Sequence, residues 1–123
     1  MQLDDTIHTL AKEVFGIQTL RPFQHVVIQR ILELDQQSAD HSGLLVTLPT
    51  GSGKSLCFML PSLLVEGLTV IVYPLLSLMN DQVRRFTSKG IGCVAIQGGQ
   101  TQELRKRLFD DLALQKCKVV ITN

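Results

Sequence analysis

Leu48-Pro49-Thr50-Gly51-Ser52-Gly53-Lys54-Ser55 is the stretch that decides the fold. It follows the apolar run Leu44 to Leu48, predicted as a short buried strand, and precedes the apolar stretch Ser55 to Leu64, predicted as a helix that Pro61 kinks or ends early. A glycine-rich loop between strand and helix turns successive backbone N–H groups toward one point and makes an anion hole. Gly51 and Gly53 leave no Cβ in the way, so phosphate oxygens can approach the main chain. Lys54 reaches the β- and γ-phosphates, and Ser55 offers a hydroxyl in the first helical turn as a Mg²⁺ ligand. Leu48 stands where the strict pattern has glycine, which points away from small-nucleotide kinases. The plain alternative is a Gly/Ser turn with an exposed lysine.

Outward from the loop, strands and helices alternate. Leu3 to Val14 and Pro22 to Leu34 are predicted helices, the second with Phe23, Val27, Ile31 and Leu34 at helical spacing and Pro22 in its first turn. Gln36 to Gly43 is polar and reads as a surface loop. Thr69 to Tyr73 is a β-branched strand, followed by Pro74 and a helix from about Ser77 with Met79, Val83 and Phe86 on one face. Cys93 to Ile96 is a further strand closed by Gln97-Gly98-Gly99. Thr101 caps a helix whose Leu104, Leu108 and Leu112 lie one turn apart, and Val119 to Thr122 begins a fourth strand. The alternation predicts an α/β fold, a parallel sheet with helices on both faces, preceded by N-terminal helices.

Bulk composition narrows the class. The 123 residues are one domain or a piece of one, with 45% apolar and 19% charged residues, an ordinary globular balance. A net charge of +1 provides no global field for nucleic acid, so any such binding rests on local groups. Cys57, Cys93 and Cys117 lack metal-ligand spacing and read as buried thiols in a reducing compartment, while His8, His25 and His41 form no sequence cluster. No apolar run approaches membrane-spanning length, so no membrane partner and a cytoplasmic location are expected. The metal-binding carboxylate that a nucleoside triphosphatase needs at a strand end is not found: Val70 to Tyr73 leads to Pro74, and Val119 to Thr122 leads to Asn123. Glu33 and Asp35 read as a solvated helix end.

Three blocks carry a family resemblance. Phe15-Gly16-Ile17-Gln18-Thr19-Leu20-Arg21-Pro22-Phe23-Gln24 resembles the adenine-recognition motif of the RecQ family of ATP-dependent DNA helicases, in superfamily 2. Leu48 to Ser55, continuing through Leu56-Cys57-Phe58, is similar to that family's motif I. Tyr73-Pro74-Leu75-Leu76-Ser77-Leu78-Met79-Asn80-Asp81-Gln82-Val83 is similar to its motif Ia. The resemblance implies that residues 1–123 are the N-terminal portion of the first RecA-like motor domain, a partial P-loop domain. It implies ATP and Mg²⁺ as cofactors, single-stranded or partly duplex DNA as partner, and work in DNA repair and recombination.

Residue by residue, the resemblance implies ATP binding by Arg21, Gln24, Pro49, Thr50, Gly51, Ser52, Gly53, Lys54 and Ser55, with Lys54 catalytic and Ser55 on Mg²⁺. The Gln24 amide can donate to and accept from adenine, and the Arg21 guanidinium can lie over the base. Ile17 stands where the family usually has an aromatic residue, which implies weaker adenine stacking. Pro74, Leu76, Ser77, Gly98 and Gly99 would line the DNA groove. Ser77 reads equally as a helix cap, and Gln97-Gly98-Gly99 as a plain turn. Tyr73 replaces a usual small residue. Arg84, Arg85, Lys89, Arg105, Lys106 and Arg107 read as a solvated face or as phosphate contacts.

Complete family members add an Asp-Glu-x-His motif, a second, C-terminal motor domain with arginine fingers and often a zinc-binding segment, all absent from these 123 residues. The expectation is that this chain alone neither hydrolyses ATP efficiently nor unwinds DNA. The alternatives are a stand-alone nucleotide-binding or interaction module and another superfamily 2 helicase or translocase.

Overall fold

Asp4 and Asp5 in the first turn and Lys12 in the last complement the dipole of α1 (Leu3–Glu13), and Ile7 and Ala11, one turn apart, are its buried positions. Pro22 opens α2 (Pro22–Gln36), where its missing N–H costs no intrahelical bond. The computed structural model describes residues 2–37 and 43–123. They divide into two compact units, one running to Val65 and the other from Glu66 to Asn123. The expected loop from Gln36 to Gly43 lies mostly outside the described residues.

The first unit is helical. Gln24, Ile28 and Leu32 form the fully buried stripe of α2, while Phe23, Val27, Ile31 and Leu34 flank it half-buried. The core joins Ile7 and Ala11 of α1, Leu20, Ile28 and Leu32, and Leu56 and Leu60 from α3 (Lys54–Met59) and its end, with Phe15 and Ile17 packed against it. Pro61 ends α3 as expected and opens a single 3₁₀ turn, Pro61–Leu63. His8 and His25, apart in sequence, meet across α1 and α2 with ring centroids 5.5 Å apart and planes 17° from parallel. His25 Nε2 lies 3.3 Å from Asp4 Oδ1. This contact joins two rings only, and among the described residues it belongs to no group of three or more side chains that could hold a metal; His41 lies outside the described residues.

The predicted strand Leu44 to Leu48 is not formed. A strand exists through its ladder, and these residues pair with no other segment among the described residues. Leu45 is 92% exposed, so the run is apolar without being buried.

The second unit carries the sheet. β1 (Thr69–Val72), β2 (Cys93–Ile96) and β3 (Val119–Thr122) are all parallel in the order β1-β3-β2. Both Thr69 and Cys93 pair with Val119, so β3 is central, and its Val119, Val120 and Ile121 are buried. The crossover through α4 (Leu76–Ser88) passes over β3 from β1 to β2. The one through α5 (Gln102–Ala113) returns from β2 to β3. Right-handed crossovers running in opposite directions put α4 and α5 on opposite faces of the sheet.

α4 buries Met79, Gln82 and Phe86, with Val83 half-buried beside them. α5 is capped by Thr101 Oγ1, which accepts from Leu104 N at 3.2 Å, and buries no residue completely. Edge strand β1 alternates: Thr69 and Ile71 are half-buried, whereas Val70 and Val72 are 58% and 70% exposed. Phe86 is fully buried in this unit, so Phe86→Ala should lower stability by about 3–5 kcal/mol. Urea denaturation checks this, and a loss under about 1 kcal/mol would show that Phe86 does not anchor α4.

Candidate nucleotide site

The loop of the first unit is built against the start of α2. Arg21 and Gln24 stand three residues apart, at the position before Pro22 and in the first turn, and the backbone N–H of Arg21 donates to Gln24 Oε1 at 2.9 Å. This reciprocal spacing fixes both side chains before they meet the loop. Arg21 Nη1 donates to Ser52 O at 2.7 Å, and Gln24 Nε2 donates to Gly53 O at 3.1 Å. Gln24 is only 5% exposed; its amide has partners on both sides, which is why a polar residue can occupy a core stripe.

Those two bonds orient the loop. In a planar trans peptide the carbonyl oxygen and the following N–H point in opposite directions. Holding Ser52 O and Gly53 O toward α2 therefore aims the N–H groups of Gly53 and Lys54 away from it, an orientation that suits an anion. Gly51 and Gly53 have φ of 79° and 89°, left-handed values that allow this tight path. A Cβ on Gly53 would sit 2.7 Å from Gln24 Nε2, so a side chain there would displace the Gln24 amide as well as strain the left-handed backbone.

Lys54 begins α3, and its Nζ donates to Leu48 O at 3.2 Å, spanning the mouth of the loop. Ser52 N bonds Pro49 O at 3.3 Å and closes the turn. Ser52 Oγ is buried with no partner among the described residues, a polar atom left for something the loop would hold. Ser55 lies half-buried in the first turn of α3, while Pro49 and Thr50 are exposed on the rim. A cationic amine, oriented N–H groups, an orphan hydroxyl and a second hydroxyl fit a triphosphate with its Mg²⁺. Ile17 packs half-buried against the helical core.

In the second unit, the expected DNA-lining residues all follow the carboxyl ends of parallel strands, the end of such sheets where ligands bind. Pro74, Leu76 and Ser77 come after β1, and Gly98 and Gly99 after β2; all five are exposed. Ser77 is not the helix cap: α4 begins at Leu76, Leu75 is its N-cap residue, and no side chain caps it. Leu75, with extended backbone, takes the N-cap position two residues before Ser77.

Sequence reasoning missed Gln100, whose Oε1 accepts from Gln97 N at 3.1 Å and whose Nε2 donates to Ala95 O at 3.0 Å. Its side chain ties the Gly98-Gly99 turn to the end of β2; a long amide after a glycine pair was the only signal. Arg84, Lys89, Arg105, Lys106 and Arg107 are exposed, as is Arg85, which pairs with Asp81 at 3.4 Å. Among the described residues no group of three or more histidine, cysteine or acidic side chains could hold a metal. Gly53→Ala should cost about 1–3 kcal/mol and displace the Gln24 amide. Thermal unfolding of the variant checks this, and an unchanged midpoint would refute the tight approach.

A family model described as DEAD/DEAH box helicase matches residues 21–123. An ATP-dependent DNA helicase RecQ of Haemophilus influenzae is 36% identical over 115 residues, 94% of this chain and 17% of that protein. The RecQ helicase of Bacillus subtilis is 37% identical over 101 residues, 81% of this chain and 16% of that protein. ATP-dependent helicase wrn-1 of Caenorhabditis elegans is 44% identical over 90 residues, 73% of this chain and 8% of that protein. The chain thus spans between 8 and 17% of the length of these relatives. The match takes in both Arg21, where the loop carbonyls are held, and the whole parallel sheet, and the chain belongs to the DEAD/DEAH box helicase family, with its similarity running to RecQ helicases.

Proposed function

We propose that this chain is the ATP-binding part of an ATP-dependent DNA helicase that couples ATP hydrolysis to movement along single-stranded DNA and separation of a duplex. The observation that carries the reading is the pair of bonds from Arg21 and Gln24 to the carbonyls of Ser52 and Gly53. They hold a phosphate-binding surface and a base-reading amide in one rigid corner. The relatives' names, ATP-dependent DNA helicases, supply the nature of the polymer.

Lys54 Nζ would leave Leu48 O for the β- and γ-phosphates, with the N–H groups of Gly53 and Lys54 and Ser52 Oγ completing the cradle. Mg²⁺, held in part by Ser55, supplies charge neutralisation at the phosphates. Gln24 retains one amide hydrogen and one oxygen lone pair beyond its loop and Arg21 bonds, enough to pair with the edge of adenine. Arg21 would stack on the base. Pro74, Leu76, Ser77, Gly98 and Gly99 would contact the DNA backbone.

The described strands end without a carboxylate that could hold the metal and orient water: Tyr73-Pro74 follows β1, and Asn123 follows β3. On this reading the 123 residues contribute nucleotide binding, and turnover would need a carboxylate that the described strand ends do not provide. Efficient ATP hydrolysis by this chain alone would overturn that division of labour.

Nucleotide affinity, measured by titration with a fluorescent ATP analogue, should fall at least about tenfold in Lys54→Ala. Lys54 is exposed, so the substitution leaves the fold in place. Equal affinity in both proteins would remove Lys54 from the site. Gln24→Ala should reduce the preference for ATP over GTP in competition titrations, and an unaltered preference would assign base reading elsewhere.

A further inference from the structure

Two of the three cysteines, Cys93 and Cys117, line one hollow of about 370 Å³ in the second unit together with Thr87, Gly90, Ile91 and Gly92. Cys93 opens β2, and Cys117 lies two residues before β3, its parallel partner. Gly92 brings the two segments into contact. Its carbonyl accepts from Lys118 N at 2.9 Å and from Val119 N at 3.1 Å. A Cβ at position 92 would lie 2.9 Å from Lys116 O and 3.3 Å from Cys117 Cα, closer than a side chain tolerates. Glycine there removes the spacer that would hold the thiol-bearing segments apart.

We infer that Cys93 and Cys117 are a dithiol modification site, which a small-molecule disulfide of the oxidised glutathione class converts to an intramolecular disulfide joining the starts of β2 and β3. Neither residue has a role in the nucleotide reading, so the inference stands apart from it. Both thiols are half-buried, within reach of a small oxidant.

The chemistry balances with that oxidant. Burial pushes the Cys93 thiol up to about 12, and the neighbouring Cys117 adds to the rise. Cys117 is also raised, by burial and then by the charge of Asp111, but Lys116 offsets part of this. Cys117 therefore supplies the first thiolate. It attacks one sulfur of the small disulfide, forms a mixed disulfide and expels one small thiolate, which takes up a proton. Cys93 then loses its proton, attacks the Cys117 sulfur and expels the second small thiol. Two protein thiols are oxidised to one disulfide, and one small disulfide is reduced to two thiols. The raised thiols make closure slow at neutral pH. The ring formed, residues 93–117, encloses the Gly98-Gly99 turn and α5.

The test incubates dilute wild-type chain with oxidised glutathione in mildly alkaline buffer. Titratable thiols under denaturing conditions should fall from three to one. Intact mass should drop by two hydrogens, and non-reducing peptide mapping should join Cys93 to Cys117. The thermal midpoint should rise and return with excess reductant. Cys57→Ser should close equally well, whereas Cys93→Ser and Cys117→Ser should not close. The wild-type map alone decides the matter, whatever the variants do to folding. A glutathione adduct persisting on either cysteine, a bridge that includes Cys57, a disulfide between two chains, or no loss of thiols would each overturn the inference.

Discussion

A planar peptide cannot turn its carbonyl without turning the next N–H, and the first unit is organised around that constraint. Arg21 and Gln24 hold two successive carbonyls of the loop, at Ser52 and Gly53, and the oriented N–H groups follow from it. The glycine requirement follows as well: Gly53 has both a left-handed φ and an amide nitrogen 2.7 Å from where a Cβ would be. The burial of polar Gln24 among Ile28 and Leu32 follows in turn, because its amide bonds to the chain on both sides. The residues that the RecQ resemblance assigns to adenine thus also shape the glycine-rich loop, so the proposed base and phosphate recognition would share one set of side chains.

The second unit obeys a different constraint. With β3 in the centre, its backbone is paired on both sides, and Val119, Val120 and Ile121 are buried. The edge strands differ: β1 exposes Val70 and Val72, whereas every residue of β2 is half-buried. Parallel pairing sends the carboxyl ends of all three strands the same way. The exposed residues after β1 and β2, Pro74 to Ser77 and Gly98 and Gly99, therefore emerge at one end of the sheet. Gln100 then braces its turn from within.

Much of this was legible in the residues. Helix starts at Pro22 and Thr101, the helix stop at Pro61 and the strands at Thr69, Cys93 and Val119 were all readable, because each depends on local chemistry: a fixed φ, a hydroxyl cap or a β-branched run. Most of what the residues did not show has non-local causes. Leu44 to Leu48 has the composition of a buried strand, but a strand needs a partner, and among the described residues it has none. Ser77 has the chemistry of a cap, but the extended backbone at Leu75 started the helix earlier. The stacking of His8 on His25 depends on how α1 meets α2, which no spacing encodes.

The sequence by itself determined the kind of site and the class of fold. Leu48 to Ser55 carries the pattern of a phosphate loop, and alternating strands and helices demand crossovers, because glycine conformations, a lysine at fixed spacing and side-chain periodicity are properties of short segments. Only the tertiary structure decided that Arg21 and Gln24 grip the loop from about thirty residues away, that β3 lies between β1 and β2, and that Gly92 brings Cys93 and Cys117 to one hollow. Those facts depend on distances between segments remote in the chain. Packing and peptide planarity set such distances when the chain closes on itself.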